Sequence, residues 1–295
     1  MSAEAWALFS ALCFASSHVV SKRGLQDTSV TAASLIILGV SWIVISLSVV
    51  LGPPAHLTGR DLAIYAGLGL LVPAISRWAV LKSVHDLGPS VAIPIQQGLR
   101  PLLSVLGGIA LLGERLSLLR GIGVASIIVG GWQLTRRPPD DPGRPPAKLR
   151  RLGLRPGLAF PFIAGLAYAT SDVLIRLTLG DGQTEPGAAA MVSTGSGLLV
   201  WLVAVAAVPR VRADVRFGRR SWWLVLAGAL IGVAILGIYN ALRRGEVSLV
   251  SPINSTQPLI VLILSALFLR DLDRVRWGTV AAAIAIVMGA VLVSW

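Results

Sequence analysis

The sequence predicts an all-α, polytopic membrane protein with ten transmembrane helices, arranged as two inverted repeats of five helices each. Of its 295 residues, 55% are hydrophobic and only 14% are charged, with a mean hydropathy of +0.77. A soluble domain carries about 25% charged residues. Apolar stretches of about 20 residues, the length that crosses a bilayer, recur along the chain. The composition excludes a soluble enzyme and a disordered chain, and the single Cys13 excludes a disulfide scaffold.

Five predicted spans fill the amino-terminal half. No Lys or Arg precedes Lys22, so the first apolar stretch lacks the basic start of a secretion signal and is predicted to remain as a span. The alternating pattern of transmembrane strands is absent. The spans are expected at residues 4–21, 30–51, 61–81, 87–112 and 117–135.

A proline-rich linker follows the fifth span. Residues 136–156 hold six prolines and almost no apolar run, which is typical of a solvated linker. We therefore predict a first repeat over residues 1–135 and a second over residues 157–295. The spans of the second repeat are expected at 157–177, 186–208, 221–242, 247–269 and 275–294.

The net charge of +12 indicates membrane sidedness. Of 26 Lys and Arg residues, 18 lie in the connections after odd-numbered spans, six in the other connections, and two, Arg77 and Arg100, inside spans. The positive-inside rule predicts that the connections with 18 basic residues, the linker included, are cytoplasmic and that both termini face outward. No basic face remains for nucleic acid, so no such partner is expected. The 23 Arg against three Lys suggest a GC-rich bacterial genome, and the predicted location is the bacterial cytoplasmic membrane.

Two long segments of the halves align. GLRPLLSVLGGIALLGERLSLLRG at 98–121 matches STQPLIVLILSALFLRDLDRVRWG at 255–278, so that Pro101 falls on Pro258. Each half holds five spans, and an odd number gives the two halves opposite orientations. Inverted repeats of this kind are a signature of secondary transporters, which bind substrate near the midplane between the repeats.

A second match carries polar residues. ASSHVVSK at 15–22 matches ATSDVLIR at 169–176, which places His18 on Asp172.

The chain resembles the drug/metabolite transporter superfamily, and it is similar to the EamA-type members over nearly its whole length. The motifs that carry the resemblance are LLGERLS and RGIGVASIIVGG in the first half and LFLRDLDRVRWG and IVMG in the second. Ser17 and Lys22 match the family's residues closing helix one, whereas Asp271 stands where the family usually has Glu. The resemblance implies a ten-helix basket, with helices five and ten peripheral, that moves small metabolites and often exports amino acids or amphipathic compounds. It also implies cytoplasmic termini, contrary to the charge distribution.

Charged residues inside spans are the first candidates for function, because a charge in lipid costs several kcal/mol unless it is paired or hydrated. Asp172 is predicted to couple protons or a cation, or to meet a substrate amine; the alternative is an i,i+4 pair with Arg176. Arg100 and Arg77 are predicted to bind a substrate carboxylate; the alternatives are snorkelling or an internal ion pair. Together with Asp172 they give the interior a charge of +1. His18 is a candidate coupling residue or a helix-contact residue.

Amide side chains precede the paired prolines of spans four and nine. Proline frees a backbone carbonyl one turn earlier, and amides there either satisfy it or point into a cavity. The alternative is interhelical hydrogen bonding. The predicted substrate-binding amides are Gln96, Gln97, Asn254 and Gln257.

Aromatic residues and carboxylates recur at matching positions. Trp78 aligns with Tyr239, which Asn240 follows; these are predicted to line a substrate cavity, or to belong to an interfacial aromatic belt. Glu114 and Asp271 lie where spans four and nine end, and each is predicted to cap the helix that follows it.

The sequence therefore predicts a secondary transporter, most simply an exporter, of small amphipathic or zwitterionic metabolites such as amino acids. Two alternatives remain: an exchanger of phosphorylated metabolites or nucleotide sugars, and a membrane scaffold or lipid-handling protein. No phosphate-binding loop, zinc-protease motif or nucleophile elbow is present, so neither an enzyme, a metal site nor a cofactor is expected. The predicted partners are a small-molecule substrate and the lipid bilayer. A coupling proton or other ion, and the oligomeric state, are left open.

Overall fold

The fold of the chain is given by a computed structural model that describes residues 1–52, 57–76, 79, 89–115, 117–134, 159–180, 184–257, 259, 260, 263, 264, 285, 288, 289 and 292. Over these residues every regular element is a helix. The long helices are α1 (Ala3–Gly24), α2 (Val30–Val50), α3 (Gly59–Gly69), α4 (Pro89–Leu112), α5 (Leu118–Leu134), α6 (Ala159–Leu179), α7 (Pro186–Ala207), α8 (Trp222–Arg244) and the start of α9 (Val247–Asn254). A short helix of five residues, Pro209–Ala213, lies between α7 and α8. The linker at 136–156 and nearly all of the predicted tenth span lie outside the described residues.

Local signals in the sequence explain where several helices begin. Ser29 accepts a hydrogen bond from the Ala32 amide at the start of α2, and Thr58 forms a reciprocal capping box with Asp61 at the start of α3. Helix α3 continues as a π-helical segment, Leu70–Ser76, which contains Pro73. A proline removes one backbone donor, and a wider turn is a known way to accommodate it.

Five helices in the described part of the chain are long and apolar enough to cross a membrane. They are Ala3–Ser21, Val30–Val50, Ala159–Leu179, Pro186–Ala207 and Trp222–Arg244, which match the predicted spans one, two, six, seven and eight. Large apolar side chains such as Leu47, Leu199 and Val225 are exposed on their outer sides, as expected for a surface that contacts lipid.

Contacts between the connections define two faces of the bundle. Ser29, after α1, bonds to Arg216, after α7, so these two connections share a face, which we call the distal face. Thr184, after α6, donates to Asp61, at the start of α3, and Arg244 donates to the backbone of Met1. These groups lie on the opposite end, which we call the N-terminal face. The helices therefore alternate in direction along the chain.

Candidate functional site

An ion pair lies buried between α4 and α6. The Arg100 guanidinium meets the Asp172 carboxylate with two hydrogen bonds, Nε–Oδ2 at 3.0 Å and Nη2–Oδ1 at 2.9 Å. The residues are 7% and 2% exposed. This two-pronged geometry is the strongest form of the arginine–carboxylate interaction. The two residues that were predicted to bind a substrate carboxylate and to couple an ion are therefore direct partners.

Hydroxyl groups complete the shell of the carboxylate. Ser104 on α4 and Ser251 on α9 donate to Asp172 Oδ2 at 3.0 and 2.9 Å. The Arg100 guanidinium carbon also lies 5.2 Å from the centre of the Tyr168 ring, within the range of a cation–π contact. The ion pair therefore has partners on three helices. These partners stabilise it, because a buried ion pair is stable only when its remaining polar atoms also form hydrogen bonds.

Two predicted amides extend the site across the bundle. Asn254 Oδ1 accepts from Arg100 Nη1 at 3.4 Å and from Gln257 Nε2 at 2.8 Å. Its own amide nitrogen donates to Ser10 Oγ at 3.1 Å, and Ser10 donates to the Ala234 carbonyl at 2.8 Å. A continuous chain of hydrogen bonds therefore joins five helices: α6, α4, α9, α1 and α8. We call the set Arg100, Asp172, Ser104, Ser251, Asn254 and Gln257 the central polar cluster.

Other predicted site residues lie elsewhere. Gln96 is buried one helical turn before Arg100 on α4. The Tyr239 ring is buried 6.4 Å from the Tyr65 ring. Asn240 donates to the Leu236 carbonyl and lines a separate cavity of about 230 Å³ at the N-terminal face.

Of the remaining candidates, the structure describes the side chain of His18 alone. His18 is exposed on α1, unlike its buried sequence counterpart Asp172. Arg77, Trp78 and the side chain of Gln97 lie outside the described residues.

Two sequence-based interpretations need correction. Asp172 does not pair with Arg176, whose Nη1 instead donates to the Leu242 and Arg243 carbonyls at the end of α8. The Arg100–Asp172 pair itself is neutral, and Arg77, the third member of the predicted interior charge of +1, lies outside the described residues. The interior-ion-pair alternative for Arg100 was correct.

Glu114 supplies the second correction. Its carboxylate caps a helix, but not the one that follows it. The two oxygens accept from the backbone amides of Val247 at 2.7 Å and Ser248 at 2.9 Å, at the start of α9.

A second, more open pocket is lined in part by α6. It has a volume of about 530 Å³ and includes Arg176, four residues after Asp172 on α6. Glu114, Arg115 and Glu246 form other parts of its wall. This polar pocket opens at the N-terminal face.

Three residues that contact the ion pair, Ser104, Tyr168 and Ser251, were missed by the sequence analysis. Ser104 follows Arg100 by four residues, Tyr168 precedes Asp172 by four, and Ser251 precedes Asn254 by three. Residues at these spacings share a helix face. A search for small polar and aromatic residues one turn from each buried charge and from each predicted amide would have identified all three.

Comparisons with known proteins agree with this architecture. The sequence profile of the EamA-like transporter family matches the chain twice, over residues 1–135 and 155–295. Among curated proteins, no sequence matches the chain. A solved structure, described as "Crystal structure of protein", superposes with a TM-score of 0.77 over 98% of this chain and 95% of that chain, at 17% sequence identity. At that identity, the likeness supports the fold alone.

Proposed function

This chain belongs to the EamA-like transporter family, and within that family we propose that it carries small zwitterionic or amphipathic metabolites, such as amino acids, by alternating access at the central polar cluster. Membership makes it a multi-pass membrane transporter of the drug/metabolite type. The cargo, the direction, which we take to be export, and the mechanism are our proposal.

The observation that carries the proposal is the buried Arg100–Asp172 pair. Replacing a buried ion pair with well-packed apolar residues is often neutral or stabilising, so stability alone gives little reason to keep one. Its two opposite charges lie about 3 Å apart. A zwitterion that enters between them can place its carboxylate on Arg100 and its ammonium on Asp172, so that one ion pair becomes two and no unpaired charge is created.

The cluster also has a suitable position for alternating access. Arg100 and Ser104 belong to the first matched segment, whereas Asp172, Ser251 and Asn254 belong to the second. In inverted-repeat transporters the two halves rock about a site between them. Separation of the halves would open the pair, and substrate would bridge it. Tyr239, buried beside Tyr65, is the candidate wall for an apolar substrate part.

Ion coupling is assigned to Asp172 in this proposal. When substrate leaves, Asp172 either returns to Arg100 or takes up a proton, and the second course couples transport to a pH gradient. His18 remains a second coupling candidate, and Arg77, Trp78, Gln96, Gln97 and Asn240 remain candidate substrate contacts.

Proteoliposomes that contain the purified chain test the proposal. We expect uptake of radiolabelled amino acids in counterflow, and a loss of at least tenfold in Arg100→Gln, because a substrate carboxylate then has no cationic partner. Arg120→Gln is the matched control: Arg120 pairs with Glu246 at 2.7 Å, but this pair is about one-third exposed at a helix end. Equal rates in the two variants would contradict a substrate role for Arg100.

The same vesicles distinguish the coupling role and the rival functions. Asp172→Asn is expected to abolish dependence on a pH gradient while binding remains measurable, and full gradient-driven transport in this variant would remove Asp172 from coupling. Exchange of sugar phosphates without amino acid transport would favour the phosphorylated-metabolite exchanger. Absence of transport for both classes would favour the scaffold alternative.

A further inference from the structure

The connection between α7 and α8 carries a dense group of arginines. Residues 208–221, which we call the arginine connection, contain Arg210, Arg212, Arg216, Arg219 and Arg220. All five are exposed, and none forms an ion pair with any residue that the structure describes. The one carboxylate in the segment, Asp214, accepts a hydrogen bond from Thr31. The charge of this surface is therefore largely uncompensated.

The backbone of the arginine connection is fixed by the neighbouring connection after α1. Ser29 and Arg216 exchange two hydrogen bonds of 3.0 Å each, and the Arg220 amide donates to Asp27 at 3.1 Å. A backbone held in this way loses little conformational entropy on binding, so the positions from which the arginine side chains extend are already set.

Exposed apolar side chains accompany the charges. Phe217 is 66% exposed and Trp222, at the start of α8, is 56% exposed. One turn further along α8, Val225 and Leu226 are also exposed and belong to the apolar outer surface of the bundle. The arginine connection therefore lies at the border between the lipid-facing surface and water, where aromatic residues favour the headgroup region.

We propose that the arginine connection binds the phosphate groups of anionic phospholipids, with Phe217 and Trp222 placed between headgroups and acyl chains. Guanidinium groups match phosphate oxygens in paired hydrogen bonds. If the arginines only set the orientation of the protein in the membrane, the arginine connection would need neither a fixed backbone nor exposed aromatic side chains beside it. The proposal does not depend on the transported substrate.

Native mass spectrometry of the full chain in detergent tests the proposal, with phosphatidylglycerol and phosphatidylcholine of identical acyl chains as probes. The variant is Arg210→Gln with Arg219→Gln. The matched control is Arg60→Gln with Arg115→Gln, two exposed arginines on the N-terminal face, so both variants have the same net charge. Size-exclusion profiles and Tm values establish that both are folded.

We expect the unmodified chain to bind phosphatidylglycerol more tightly than phosphatidylcholine. Each basic residue near an anionic lipid surface contributes about 1 kcal/mol, so the variant should lose at least roughly tenfold in affinity for phosphatidylglycerol, while the control retains it. Equal losses in both variants, or no preference for the anionic lipid in the unmodified chain, would overturn the proposal.

Discussion

At the scale of single residues, Glu114 has the predicted role of a helix cap, but the helix that it caps is not the predicted one. Its position after α4 indicated a helix cap, but the capped amides of Val247 and Ser248 lie more than 130 residues later in the chain. Gly113, with φ of +67°, allows the turn that redirects the chain at this point. Gly108 leaves room for the carboxylate, since a Cβ there would lie 2.5 Å from Glu114 Oε2. This cap therefore links the first family-matched segment, residues 1–135, to the second, residues 155–295.

We expect Glu114→Ala to lower the stability of the protein, because two amides at the start of α9 lose their acceptor. The loss of a helix cap costs about 0.5–2 kcal/mol, which is measurable as a lower Tm in detergent. Arg115→Ala is the control, since this neighbour is exposed and should leave Tm nearly unchanged. Equal Tm values for the Glu114 variant and the unmodified chain would refute the cap.

At the scale of elements, close helix contacts depend on small residues. Gly228 and Gly232 on α8 form a G-x-x-x-G pair, the spacing that lets membrane helices approach closely. A Cβ on Gly228 would lie 2.8 Å from the Cβ of Val40, and a Cβ on Gly232 would lie 3.0 Å from the Ser41 carbonyl oxygen. Ser41 also donates to the Gly228 carbonyl at 2.8 Å. The α2–α8 contact is therefore a tight backbone approach.

Two substitutions of glycine by alanine should have opposite effects on stability. In α2, a Cβ on Gly39 meets nothing within 4 Å, so Gly39→Ala gains helix propensity of up to about 1 kcal/mol and should keep or raise Tm. Gly228→Ala overpacks the contact at a cost of about 1–3 kcal/mol and should lower Tm. A rise of Tm in both variants would show that α2 and α8 do not pack closely.

At the scale of the whole molecule, the uneven distribution of basic residues between alternate connections predicts which side of the membrane each connection faces. The distal face carries the connections after α1 and α7, which belong to the set rich in basic residues. A reporter fused within residues 136–156 should therefore be cytoplasmic, and one fused before Ala3 should be extracytoplasmic. Phosphatase and fluorescent-protein fusions measure this, and a reversed pattern would give the orientation usual in the family.

Much of the architecture followed from local patterns in the sequence. Apolar runs located α1, α2, α6, α7 and α8, because a bilayer sets span length directly. Depth in a span identified Arg100 and Asp172 as unusual, because a charge there requires a partner. Which partner each has could not be predicted, since Arg100 and Asp172 are 72 residues apart in sequence and the nearer Arg176 satisfied the only spacing rule available.

The pattern of hydroxyls was equally hard to anticipate. Serine is common in membrane helices, where it forms hydrogen bonds between helices. The sequence alone therefore did not distinguish Ser104 and Ser251 from other serines. Trp78 and Tyr239 matched between the halves, yet only Tyr239 is among the described residues, where it packs with Tyr65. The network across five helices depends on tertiary packing, which the sequence patterns do not specify.

Accessibility of the central polar cluster from the two sides of the membrane tests our central claim most directly. Ser104→Cys and Ser251→Cys are made separately in a Cys13→Ala background, since these serines are buried beside Asp172. Ser41→Cys, equally buried but between α2 and α8, is the matched control. A membrane-impermeant thiol reagent is added to oriented vesicles from either side, with and without the transported amino acid.

Alternating access predicts that the cysteines at positions 104 and 251 react from both sides, that substrate slows the reaction, and that the cysteine at position 41 stays unreactive. If the two cluster cysteines in folded protein react from neither side, the Arg100–Asp172 pair is a permanent part of the core and not a substrate site.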